Sequence, residues 1–167
     1  MKLTAITRRI AAMTATLLTL VATNTLTAKE PAVSGTGYAA AVADALAVVG
    51  NRADLSVVRA AGQSMLPYFS DDAVIVVKKI DAARLRVGMI VVYVNRFGEK
   101  VAHRVVAPVA GGWQVQGYNN SRADTTVVDG SNLLGVVYAT FHATSRPATV
   151  ASTSLPAIET VYAAPAK

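Results

Sequence analysis

Between Leu55 and His142 the chain repeats one texture: short runs rich in β-branched residues, each closed by a turn signal. The runs are 55–59 (LSVVR), 73–78 (AVIVVK), 89–94 (MIVVYV), 100–106 (KVAHRVV), 113–116 (WQVQ) and 133–142 (LLGVVYATFH). Branching at Cβ stiffens a side chain against the preceding helical turn and suits it to a pleated, half-buried surface. Glycine, proline and polar residues interrupt the runs before most of them reach the length of an ordinary helix. The pattern therefore predicts a mainly β domain of short antiparallel strands joined by local turns. Within 100–106 the alternation places Val101, His103 and Val105 on one face and Ala102, Arg104 and Val106 on the other. Gly135 marks a bend or bulge in the last run.

The flanks read differently. Residues 38–49 (YAAAVADALAVV) carry a single acid, Asp44, and stop at Gly50-Asn51, which predicts a short N-terminal helix with a glycine stop. Its apolar residues lie nearly all round, so it must be packed against something. Residues 81–86 form a polar connection with room for one helical turn, 95–99 with Gly98 a hairpin loop, and 118–129 a polar loop. From 143 to 167 the composition is Ala, Ser, Thr and Pro, with Pro147, Pro156 and Pro165. That segment reads as a poorly ordered tail, with the apolar patch 158–162 as a docking point.

The first 28 residues hold three cations (Lys2, Arg8, Arg9) and no acid. The apolar run 10–22 follows, then a small polar stretch ending at Ala28, then Lys29-Glu30-Pro31. This is the order of an export signal with a cut after Ala28, although Leu26 is bulky for the position three residues before it. The apolar run is 13 residues long, against the roughly 20 needed to span a bilayer. An uncleaved N-terminal anchor is the competing reading. Both put the domain outside the cytoplasm, in the periplasm or beyond, with or without a tether to the membrane. The expected division is thus 1–28 signal or anchor, 29–54 linker and helix, 55–142 functional domain, and 143–167 tail.

Composition narrows the chemistry. There is no cysteine, which excludes disulfides, thiolate-ligated zinc and a cysteine nucleophile. Beyond residue 28 the remaining cations are scattered, with only Lys78-Lys79 adjacent, so no nucleic-acid footprint is expected. No His, Asp or Glu set has metal-ligand spacing, and no phosphate-cradling or dinucleotide loop is present. No cofactor is expected.

What remains is a serine and a histidine. Ser64 lies in the tight segment Gly62-Gln63-Ser64-Met65-Leu66-Pro67. Gly62 permits a sharp turn or a close backbone approach, and Pro67 fixes φ. His103 sits in mid-strand between apolar neighbours, an expensive place for an imidazole unless a partner satisfies it. A serine hydroxyl becomes a nucleophile when a neighbouring base takes its proton, and a carboxylate then orients that base. Asp124, in the polar loop after the fifth strand, fits the third role; Asp129 and Asp72 remain alternatives. These residue types alone do not distinguish a catalytic set from a turn serine and a satisfied core histidine. Trp113, Tyr93 and Tyr138 read as packing residues, and Arg104 as a salt-bridge or backbone partner.

Five short boxes occur in order: Ser64-Met65-Leu66-Pro67, Gly88-Met89-Ile90-Val91-Val92-Tyr93, Val101-Ala102-His103-Arg104-Val105, Gly117-Tyr118-Asn119-Asn120 with Asp124, and Leu134-Gly135-Val136-Val137. Together they resemble the signal peptidase family, which shares its catalytic domain with the self-cleaving SOS and phage repressors. The resemblance covers about half the chain. It implies an antiparallel β-fold of that type, with Ser64 as nucleophile, His103 as general base and Asp124 as its orienter. His103 stands where the common bacterial branch has lysine, as in the branch of the endoplasmic reticulum and archaea. The implied substrate is an extended peptide or preprotein with small residues on the acyl side of the cut. Gly62 and Gln63 would contact it, and Met65 would line the cleft with them, as the resemblance implies, or plug the core. Four positions depart from the family pattern, the first being Asp71, which stands where a glycine precedes the acid that Asp72 matches. Tyr118 and Met89 stand where acids are usual. Gly62 stands where many signal peptidases have a hydroxyl that helps the oxyanion, which leaves that task to backbone N–H groups.

Overall fold

The computed structural model describes residues 35–144 and 158–163. The expected export signal or anchor at 1–28 lies outside the described residues. Among the described residues no helix is long and apolar enough to cross a membrane.

The chain opens with helix α1 (Tyr38–Val49), as its alanine-rich run and glycine stop predict. Gly50 closes the helix, its N–H donating to Leu46 O at 2.8 Å. The described residues form seven strands, β1 (Leu55–Gly62), β2 (Val74–Lys78), β3 (Ile90–Val94), β4 (Lys100–Val109), β5 (Gly112–Gln116), β6 (Leu133–Phe141) and β7 (Glu159–Ala163). A single 3-10 turn, Ala82–Arg84, lies in the connection before β3, capped by the Asp81 carboxylate.

Hydrogen bonding runs β3-β6-β2-β1-β7-β4, and β3 pairs with β4 to close the circle. The result is a closed six-stranded barrel, with β5 added outside β4. The fold is mainly β, as the sequence predicts. It is not wholly antiparallel: β7 runs parallel to both β1 and β4. Segment 158–163, the expected docking point, is thus ordered as a strand of the barrel, while residues 145–157 and 164–167 of the expected tail lie outside the described residues. Its apolar residues complete the barrel, because β1 and β4 otherwise present unpaired backbone edges to each other. The local sequence gave no turn linking it to a neighbour, so its partner strands were not visible from pattern alone.

Strand alternation sorts the side chains into an interior and two outer layers. Val58, Ala60, Ile75, Val77, Val92, Ala102, Val161 and Ala163 fill the barrel with Met65 and Phe69. On one outer face Tyr38, Ala41, Val42 and Ala45 of α1 cover Leu55, Val74 and Val76. On another, the β5 hairpin and the loops around Leu85 and Val128 cover Val91, Tyr93, Val101 and Val105. The last layer positions the site. His103 shares the face of Val101 and Val105, so it looks outward from the barrel into a layer roofed by β5 and its following loop. A register shift between Val92 and Tyr93 lies opposite Gly135, where the sequence predicts a bend or bulge.

Candidate active site

β1 ends at Gly62, and the chain turns through Ser64 before Pro67. Two short backbone bonds shape the turn: Leu66 N to Gln63 O at 3.2 Å and Tyr68 N to Met65 O at 2.9 Å. The Asp71 carboxylate accepts from Gly62 N at 2.6 Å and fixes where the turn begins. Gly62 has φ of 103°, a conformation that L side chains rarely adopt. A Cβ there would lie 2.3 Å from Ala163 O, so glycine is required by contact as well as by conformation.

The box 117–120 forms the wall behind Ser64. Asn119 N donates to Ser64 O at 2.7 Å, and Asn119 Nδ2 to Gln63 O at 3.3 Å. Gln116 Nε2 donates to Asn120 O at 2.6 Å and braces the loop from β5. Gly117 packs so closely that a Cβ would stand 2.9 Å from both Ser64 Cβ and Ser64 O.

Ser64 and His103 are the buried polar residues among the described residues, at 5% and 1% exposure. Ser64 Oγ lies 2.8 Å from His103 Nε2. His103 Nδ1 lies 2.5 Å from Asp124 Oδ2. The assignment that satisfies all three has Nδ1–H donating to the carboxylate and Ser64 O–H donating to Nε2. Asp124 N donates to Val115 O at 2.8 Å, so the acid is anchored to β5 rather than left on a free loop. His103 is thus a buried imidazole with both nitrogens partnered, which removes the cost of burying it.

Tyr93 adds a second donor to the same carboxylate: its O–H bonds Asp124 Oδ2. Burial first, and then this bond, push the Tyr93 pKa above its ordinary value. The phenol stays protonated and remains a donor. Asp124 Oδ1 is buried and has no hydrogen-bond partner. Tyr93 had read as packing only. The available signal was a phenol on β3 facing the strand that carries His103, next to the acid-bearing layer.

Of the three candidate acids, the structure brings Asp124 to His103 and the other two elsewhere. Asp72 Oδ1 receives Arg59 Nη1 at 3.0 Å, and the Asp129 carboxylate accepts from Ser131. Gly62 and Gln63 line an open cavity of about 500 Å³ beside Ser64, with Asn119 and Asn120 across from them. Met65 does not reach it. Its side chain is fully buried among the interior residues, because the turn directs it into the barrel where an apolar side chain gains most from leaving water. Tyr118, at a position where the resemblance leads one to expect an acid, is stacked instead. The Arg104 guanidinium lies 4.1 Å from its ring centroid, and Tyr68 packs on it. Arg104, expected as a salt-bridge or backbone partner, is therefore a ring partner. Met89 packs against the outer apolar layer, and Trp113 does likewise while donating to Ala82 O.

Chemically, the three side chains form a chain of hydrogen bonds from a hydroxyl through an imidazole to a carboxylate. Such a chain can move a proton off the serine and hold the resulting positive charge. No family model, curated protein or solved structure matches the chain.

Proposed function

We propose that the protein is a serine endopeptidase of signal-peptidase type, on a β-fold of the signal-peptidase and repressor-peptidase kind. The observation that carries this reading is the hydrogen-bonded series Ser64 Oγ to His103 Nε2 at 2.8 Å and His103 Nδ1 to Asp124 Oδ2 at 2.5 Å. Joined in this order, the serine has a base within hydrogen-bond reach and the base has a carboxylate to orient it. Ser64 attacks a peptide carbonyl while His103 takes its proton. His103 returns that proton to the leaving amine, and water then hydrolyses the acyl-enzyme. Asp124 keeps the imidazole in the right tautomer and offsets the positive charge it gains. The substrate is an extended peptide or preprotein with small residues before the cut, met outside the cytoplasm, with the N-terminal segment as the route to membrane association.

A second reading, an exported domain that binds peptides without cutting them, is favoured by one observation: the Ser64 N–H that would receive an oxyanion already bonds Ala163 O. Incubation with a peptide carrying small residues before the cut discriminates the two. The peptidase cleaves it, and Ser64→Ala lowers kcat/KM by about 10³-fold or more with an unchanged circular dichroism spectrum. A wild-type protein that binds such peptides and never cleaves them refutes the peptidase reading.

A further inference from the structure

Tyr93 is 1% exposed and lies in the outer apolar layer with Leu85, Val91, Val101 and Val105. A phenylalanine ring would fill the same space. A buried hydroxyl costs free energy unless it finds a partner, so packing alone does not account for the oxygen. The Tyr93 hydroxyl donates to Asp124 Oδ2, the same oxygen that His103 Nδ1 meets at 2.5 Å. The register of β3 on β4 brings the two donors together. Val91 stands opposite His103 and Tyr93 opposite Val101, which makes Tyr93 and His103 diagonal neighbours on one face of the sheet. Burial and the bond to Asp124 raise the Tyr93 pKa, so the phenol keeps the proton it donates.

Asp124, by contrast, comes from the loop after β5. Its N–H donates to Val115 O at 2.8 Å, which fixes the backbone and leaves the side-chain torsions to other contacts. Both side-chain donors meet Oδ2, while Oδ1 is buried without a hydrogen-bond partner. Of those two donors, His103 is the one whose proton inventory changes when a serine proton is taken. We infer that Tyr93 is a positioning residue of the proton relay: its hydroxyl, carried on a barrel strand, holds the loop-borne Asp124 carboxylate in line with His103 Nδ1. This rests on the peptidase reading. A hydrogen bond to an ionised acceptor is roughly twice as strong as a neutral one. The carboxylate therefore stays aimed at the imidazole through each proton transfer, with no reorganisation at the moment of reaction. Tyr93 touches neither Ser64 nor the cleft beside it, which is lined by Gly62, Gln63, Asn119, Asn120 and Tyr162 among others. Its effect should fall on turnover and not on substrate binding.

The test is a double-mutant cycle in the full chain, with Tyr93→Phe, Asp124→Asn and the pair together, read on a small-residue peptide and by ¹H NMR of His103. Tyr93→Phe keeps the ring and removes the oxygen. It should lower kcat about ten- to a hundredfold, the rate equivalent of one hydrogen bond to a charged group, with KM unchanged. The His103 Nδ1–H resonance should move upfield as the carboxylate loses its fixed direction. On top of Asp124→Asn, which already breaks the relay, Tyr93→Phe should cost nothing further, because the two act as one unit. A wild type that cleaves the peptide beside a Tyr93→Phe that keeps its kcat overturns the positioning role and leaves the peptidase reading standing. So does a loss that falls on KM, that recurs in full on top of Asp124→Asn, that leaves the Nδ1–H resonance unmoved or shifts it downfield, or that comes with loss of the folded circular dichroism spectrum. A wild type that never cleaves overturns both.

Discussion

Asp124→Asn separates the proton relay from the fold that carries it. In the wild type Asp124 Oδ2 receives both His103 Nδ1–H, at 2.5 Å, and Tyr93 O–H. Oδ1 is buried without a hydrogen-bond partner. An asparagine can enter in two ways. With its carbonyl oxygen in the Oδ2 place, both donors are kept, but the amide NH₂ faces the partnerless side and two N–H groups are orphaned. With the NH₂ there, it donates to His103 Nδ1 and to the Tyr93 oxygen, and only Tyr93 O–H loses its acceptor. The carbonyl then occupies a position that is already partnerless. Each orphaned buried donor costs about 1–3 kcal/mol, so the second arrangement wins. His103 must then carry its proton on Nε2, facing Ser64, where it cannot accept the serine proton. The expected loss in kcat/KM is about 10⁴-fold, or about 5.5 kcal/mol of transition-state stabilisation. Stability should fall by only about 1–3 kcal/mol, the cost of the one orphaned hydroxyl. The assays are hydrolysis of a small-residue peptide and ¹⁵N NMR of His103, which should report Nε2–H in place of Nδ1–H. A variant that stays within about tenfold of wild type, or whose imidazole keeps Nδ1–H, refutes the reasoning.

Two further perturbations test the surroundings. Burial and the bond to Asp124 raise the Tyr93 pKa, so the folded state holds this proton more tightly than the unfolded chain. That contribution is complete below the ordinary phenol pKa of about 10 and is lost as pH rises above it, at about 1.4 kcal/mol per pH unit. Urea denaturation between pH 9 and 11 should therefore show a steeper decline for wild type than for Tyr93→Phe, and equal slopes would exclude the buried phenol as the cause. Gly117→Ala places a Cβ 2.8 Å from Asn120 Nδ2 and 2.9 Å from Ser64 O. Overpacking against backbone should lower stability by about 1–3 kcal/mol, and displacement of Ser64 should lower kcat/KM alongside it. An unchanged denaturation midpoint and activity would show that the wall behind Ser64 yields freely.

Much of the barrel was legible because local pattern carries it. β-branched runs gave six strands near their observed bounds, and the alternation in β4 put His103 on the face of Val101 and Val105. The helix was legible from its alanine-rich run, and its C-terminal end from the glycine stop, a local signal. The site was legible only as residue types. Ser64 and His103 stood out because a glycine-bounded turn serine and a mid-strand imidazole are unusual. The choice among Asp72, Asp124 and Asp129 was not legible, since loop carboxylates carry no periodicity. Met65 and Tyr93 were not legible either. Side chains next to a turn or a register shift take directions that spacing does not fix.

By itself, then, the sequence determined the first six strands, the helix and the identity of the groups able to pass a proton. These depend on interactions between near neighbours, which a linear pattern records. Only the tertiary structure decided that Glu159–Ala163 enters between β1 and β4, that His103 and Tyr93 share one carboxylate oxygen of Asp124, and that Ala163 O lies on Ser64 N–H. Those outcomes depend on closing a barrel from segments far apart in the chain. Which edge a distant strand joins is set by unpaired backbone groups and by the space left in the interior, and neither exists until the other strands are in place.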